Sequence, residues 1–116
     1  MQIRNLMADS VAPAQGERFD VLLSHNNLVI ERIVSSDAIV PVEYVQTQDE
    51  WVVLLQGEAT IEISGDMHEM SSGDYVFLPA GMPHTVRRVS PSAVWLAVHL
   101  HPAPGGHLST DSSKEA

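Results

Sequence analysis

The hydrophobic pattern of the chain is one of short alternating runs, with no sustained 3.6-residue period. The first 16 residues are mixed and end in the turn-prone Pro13-Ala14-Gln15-Gly16, which predicts an arm lying on the domain, with room for one helical turn. Residues 17–24 fit either a short helix or a strand, and His25-Asn26-Asn27 reads as a turn. From Leu28 the β signal is strong. Strands are expected over 28–34, 42–47, 50–56, 58–63, 67–70, 75–78, 84–89 and 93–101, separated by Gly, Pro, Asp and Ser. Many short strands at close spacing predict an all-β fold, a small antiparallel β-barrel or jelly roll. The segment 102–116 is rich in Pro, Gly and Ser and reads as a disordered tail. The chain therefore divides into an arm (1–16), a barrel (17–101) and a tail (102–116).

Two strands carry apolar residues on both faces. In 50–56, Val52 and Leu54 share a face with Glu50, while Trp51, Val53 and Leu55 form the other. In 93–101, Leu96, Val98 and Leu100 look like the core face, opposed by Trp95 and Ala97. A wall with one wet side should alternate apolar with polar. The second face therefore asks for cover, by the arm or by a second copy, and a homodimer is expected.

The chain has 116 residues, enough for one domain, and 44% are hydrophobic. Its formal net charge is -9, and its six Lys and Arg form no run. A nucleic-acid partner or an anionic membrane surface is thus not expected, since both need clustered cations. The absence of cysteine excludes disulfides, thiolate metal sites and thiol catalysis, and fits a cytoplasmic setting. No stretch approaches the roughly 20 apolar residues of a membrane helix, and the first 15 residues do not resemble a secretory signal.

The segment Gly73-Asp74-Tyr75-Val76-Phe77-Leu78-Pro79-Ala80-Gly81-Met82-Pro83-His84 resembles the second cupin signature, in which glycine, proline, glycine and histidine stand at these spacings. Arg88 stands where that signature usually closes with asparagine. Glu50 and Gly57 fit the end of the first signature. Its two upstream histidines are missing. A three-residue gap puts Tyr44 and Gln46 in their places, and a four-residue gap puts Glu43 and Val45 there. The first alignment is preferred, because Val45 has no donor atom and because Tyr44 and Gln46 share a strand face. The stretches 27–35, 49–59 and 94–99 also resemble small single-domain cupins in which tyrosine and glutamine replace the two histidines.

The resemblance implies a barrel holding a divalent ion (Zn, Mn, Fe or Ni) and acting on a small polar or carbohydrate-like molecule, by isomerase, epimerase, lyase or oxygenase chemistry. The metal ligands it implies are Gln46, Glu50 and His84, and the catalytic candidates are Tyr44 and His84. With one imidazole, dioxygen activation is the less favoured chemistry. A sensor or binding module without turnover, and a metal-free dimeric barrel, are the alternatives. His99 is expected at an interface or on the surface, His68 in solvent. Arg32 reads either as an inward clamp for an anionic substrate or as the partner of Glu31 or a neighbouring strand. Arg88 carries the same two readings.

Overall fold

A computed structural model describes residues 1–103. The part of the expected tail beyond residue 103 lies outside the described residues. Eight strands follow one another: β1 (Glu17–His25), β2 (Leu28–Ser35), β3 (Asp49–Gln56), β4 (Glu58–Ile63), β5 (Asp66–Ser71), β6 (Tyr75–Leu78), β7 (His84–Val89) and β8 (Ala93–Leu100). They form two antiparallel sheets, one of five strands in the order β1-β2-β8-β3-β6 and one of three in the order β5-β4-β7. The all-β jelly-roll expectation holds.

Strand parity explains the core. On β3, Val52 and Leu54 point inward, and on β8, Trp95 and Ala97 do so. They meet Ala59 and Ile61 of β4, Met70 of β5 and Val89 of β7 from the opposite sheet. Burial of these aliphatic side chains is the main source of stability, at about 1.5–3 kcal/mol for each fully buried one. The ambiguous segment 17–24 is strand, because it pairs with β2 on both sides of a bulge at Leu22.

Two expectations are corrected. The inner face of β8 is Trp95, Ala97 and His99, whereas Leu96, Val98 and Leu100 lie outside. Aliphatic bulk was a poor guide here, because Trp95 and the small Ala97 share the inner face and fit the gap to the opposite sheet. Residues 42–47 form no regular strand. Only Tyr44 makes a bridge, donating to and accepting from the backbone of His84 at 2.8 and 3.0 Å. The Gln46 carbonyl accepts from Gly81 N–H at 2.8 Å, so the segment is tied down without a ladder.

The arm is held by arginine. Arg32, on the outer face of β2, is buried and pairs with Asp20 of β1 at 2.8 Å. Its guanidinium also donates to the Leu6 carbonyl at 2.9 Å and to that of Ala8. Arg18 likewise binds the Val11 carbonyl and Asp20. These charge-assisted bonds hold Asp20 below the usual carboxylate range, with the Arg32 bond the largest cause. Arg32 is thus a clasp between strands and arm, not a substrate clamp. Arg88 pairs with Glu69 on the exposed side of the small sheet.

The chain passes from the large sheet to the small one at Gly57, where φ is +102°. A Cβ there would meet Ser90 Oγ at 2.7 Å and the Ala93 Cα at 3.1 Å. Both the left-handed backbone and the close approach therefore require glycine. Gly57→Ala is expected to destabilise the fold by about 1–3 kcal/mol, measured as a lower urea midpoint with an unchanged slope.

Candidate functional site

The strands open at one end into a cavity of about 370 Å³. Its floor is apolar, with Val52, Ile61, Leu78 and Trp95. Above that floor the same inward parity supplies polar groups. Glu50 lies one pleat pair beyond Val52 on β3, His99 lies one beyond Ala97 on β8, and the two residues are paired across the strands. His84 opens β7, immediately after the reversal at Gly81 and Pro83. All three are buried. The neighbouring turn is fixed by Asp49, whose Oδ1 accepts from Ala80 N–H at 2.9 Å.

Glu50 Oε1 lies 3.7 Å from His84 Nε2, too far for a hydrogen bond. The Nδ1 of His84 lies 3.1 Å from the Met82 carbonyl, which can only accept, so Nδ1 carries a proton. In the neutral ring the Nε2 lone pair then faces the cavity, which is the arrangement seen when a carbonyl orients a metal-binding imidazole. Burial raises the Glu50 carboxyl above its ordinary range. His99, His84 and a hydrogen bond from Gln46 oppose that rise, while Glu31 adds to it. The phenol of Tyr44 is raised by burial and by Glu17 and Glu50, so it stays protonated at neutral pH. Its ring stacks on His84 with centroids 5.8 Å apart. Tyr44, Gln46, Glu50 and His84 therefore all line one cavity, while Glu43 and Val45 are exposed.

His99 is corrected at this site. Instead of facing an interface or solvent, it lies inside, with Nε2 3.0 Å from Glu31 Oε1 and Nδ1 3.2 Å from the Gln48 amide nitrogen. The sequence reading passed over Glu31, Gln48 and Glu17. The signal that could have found Glu31 is its place between Val29 and Ile33 on the inward face of β2. Glu17 accepts from Ser35 Oγ at 2.8 Å, and Ser35 in turn accepts from the indole of Trp95 at 3.2 Å. His68 is exposed, as expected.

A divalent ion meets two strong donors here, the Glu50 carboxylate and His84 Nε2. Their 3.7 Å separation suits two ligands of one ion, each bonded at about 2.0–2.2 Å. Gln46 adds an amide oxygen. Among the described residues no group of three or more His, Asp or Glu side chains converges as a metal centre. The donor set thus fits an open, weakly held ion.

Burial of the Glu50 carboxylate carries a stability cost that its removal relieves. Its folded carboxyl binds a proton more readily than the unfolded one, whose reference value is 4.5. Stability therefore falls as pH rises from there through the raised folded value. In the presence of a chelator, Glu50→Gln is expected to melt at higher temperature than the parent protein at pH 8. That gain should vanish below pH 4, each unit of upward shift being worth about 1.4 kcal/mol. Melting curves at both pH values check this.

Comparison with known proteins agrees with this architecture. No curated protein matches the sequence. A crystal structure named as a putative mannose-6-phosphate isomerase, from Ralstonia eutropha JMP134, is similar at 36% identity and TM-score 0.78. The match covers 87% of this chain and 99% of that one. A cupin superfamily protein from Desulfitobacterium hafniense DCB-2 is 22% identical, with TM-score 0.71 and coverage of 87% and 94%. KdgF from Halomonas sp. is 16% identical, with TM-score 0.69 and coverage of 73% and 78%, and shares the fold alone. The cupin domain family matches residues 32–100, and with the signature glycines, Glu50 and His84 set around one barrel cavity, this chain belongs to the cupins.

Proposed function

We propose that this cupin binds a small polar molecule in its barrel cavity and performs proton-transfer chemistry on it, of the isomerase, epimerase or lyase kind, with a divalent ion held by Glu50 and His84. The observation that carries this reading is the buried Glu50–His84 pair, with the His84 Nδ1 proton committed to Met82 and Nε2 turned to the cavity. Gln46 would complete the ion's protein ligands. When bound, the ion would polarise a carbonyl or hydroxyl of the substrate. The protein's own groups supply the rest. Tyr44, protonated at neutral pH, can donate to a developing oxyanion, and burial makes the Glu50 carboxylate a stronger base than an exposed one, which suits it to accept a proton. The apolar floor excludes water from below.

The isomerase name of the Ralstonia protein supports this class of chemistry. The phosphate in that name has no counterpart here, since no lysine or arginine lines the cavity among the described residues. One observation favours a second reading, a binding module without turnover: only two strong donors are present where an ion would sit. The test is metal analysis of protein purified without chelator. His84→Ala is expected to lose at least 90% of the bound divalent ion, about tenfold or more in affinity for one lost ligand, while keeping its circular dichroism spectrum. Equal metal content in parent and variant would refute the ligand assignment. Tight ligand binding with no turnover in the metal-loaded parent protein would favour the binding module.

The same proposal includes a homodimer. Tyr75, Phe77 and Leu100 are exposed, and Trp51 packs beside Tyr75 with ring centroids 5.3 Å apart. These side chains lie on the outer face of the large sheet, on its edge strand β6 and the adjoining β3 and β8, where a second copy would cover them. Sedimentation is expected to report a dimer, and Phe77→Glu a monomer at the same concentration.

A further inference from the structure

The cavity has an electrostatic sign that the metal reading does not use. Three carboxylates line it, Glu17, Glu31 and Glu50, and no lysine or arginine does among the described residues. The arginines are engaged elsewhere. Arg18 and Arg32 clasp Asp20 and the arm on the outer side of the large sheet. Arg87 and Arg88 pair with Glu62 and Glu69 of the small sheet, and Arg4 bonds Gln2. Lys114 lies outside the described residues.

The histidine nearest to these carboxylates, His99, engages one oxygen of Glu31 at 3.0 Å, and its Nδ1 lies 3.2 Å from the Gln48 amide nitrogen. Glu17 accepts from the Ser35 hydroxyl, which is backed by the Trp95 indole. Each of these carboxylates has only one oxygen so engaged, which leaves the other for a ligand. His84 is a second, independent pointer to a ligand: it is nine-tenths buried and its Nε2 has no hydrogen-bond partner among the described residues. Phe19, Tyr44 and Trp95 add aromatic surface to the same walls, which favours positive charge over negative.

We infer that the cavity selects a small organic cation, a molecule bearing a protonated amine, over phosphorylated or carboxylated ligands, with Glu31 and Glu17 as the amine's partners. This rests on the reading that the barrel cavity is the ligand site, but not on the metal. A divalent ion on Glu50 and His84 would bring net positive charge to that end of the cavity, whereas Glu17 and Glu31 line it with no lysine or arginine beside them among the described residues. An anion entering beside Glu17 and Glu31 would meet like charge at short range with no lysine or arginine to offset it.

The experiment uses two matched series that differ in charge, each titrated into the full chain as isolated: mannosamine, mannose and mannose 6-phosphate, and 2-phenylethylamine, 2-phenylethanol and phenylacetate. Binding is read from NMR shifts of the His84 and His99 rings and the Trp95 indole. In at least one series the amine should bind about tenfold or more tightly than the anion, as expected for a charge-assisted contact. The double variant Glu17→Gln, Glu31→Gln should bring the two within about threefold of each other while leaving the neutral member unchanged. The Gln side chains keep an oxygen for Ser35 and for His99, so the fold is retained. An anion that moves the cavity signals with equal or greater affinity overturns the charge inference and leaves the cavity reading intact. A preference that survives in the double variant overturns the role of Glu17 and Glu31. No cavity signal moved by any member overturns both the inference and the cavity reading.

Discussion

Strand pleating is the constraint from which the site follows. Along β3 every second side chain enters the space between the sheets, so the sequence of inward residues is Leu54, Val52, Glu50. Along β8 the inward sequence is Trp95, Ala97, His99. Because Glu50 and His99 are paired across the strands, both change from apolar to polar at the same level. Below that level the barrel is a hydrophobic plug. Above it, carboxylates and imidazoles share a partly dehydrated cavity. A register slip of one residue in either strand would turn the polar layer to the outside and bury the wrong face.

The polar layer is strained in the electrostatic sense, and the neighbours show how the strain is contained. His84 Nδ1 faces the Met82 carbonyl, and His99 is held between Glu31 and the Gln48 amide. That leaves the Nε2 of His84 turned to the cavity, while both ring nitrogens of His99 are engaged. Glu50 has the least support, with its ionised form disfavoured by burial, and it sits where the chemistry is proposed. Groups whose acidity is displaced by burial in a cleft are often functional, because folding alone gives no reason to retain them. The frame around them is rigid where it must be. Tyr44 is locked to His84 through two backbone bonds, Gly81 is bonded to Gln46, and Asp49 caps the turn at Ala80.

Charge is partitioned between the two sides of the large sheet. The outer side of β1 and β2 carries Arg18 and Arg32, spent on Asp20 and on the carbonyls of the arm. The inner side of the same two strands carries Glu17 and Glu31. A one-residue alternation thus fixes both the attachment of the arm and the sign of the cavity. The cost is that Arg32, the one buried arginine, is unavailable to any substrate.

The sequence alone determined the all-β class, most strand positions, and the pairing of Glu50 with His84, because turn residues and signature spacings are local properties of the chain. Gly57, Gly73 and Gly81 could be recognised at their spacings, and the turns they make are confirmed by positive φ at each. The sequence also chose Tyr44 and Gln46 over Glu43 and Val45 by parity and donor chemistry, and those two face the cavity. Tertiary structure decided which face of β8 is inside, and with it the place of His99. Both faces of that strand are apolar, so periodicity could not tell them apart, and only the shape of the opposing sheet could. It also decided that residues 42–47 form a tether with a single bridge instead of a strand, since the hydrogen-bond partners come from a distant turn. The charge of the cavity belongs to the same category. Glu17, Glu31 and Glu50 lie on three strands, and nothing short of their packing brings them to one volume that the arginines do not reach.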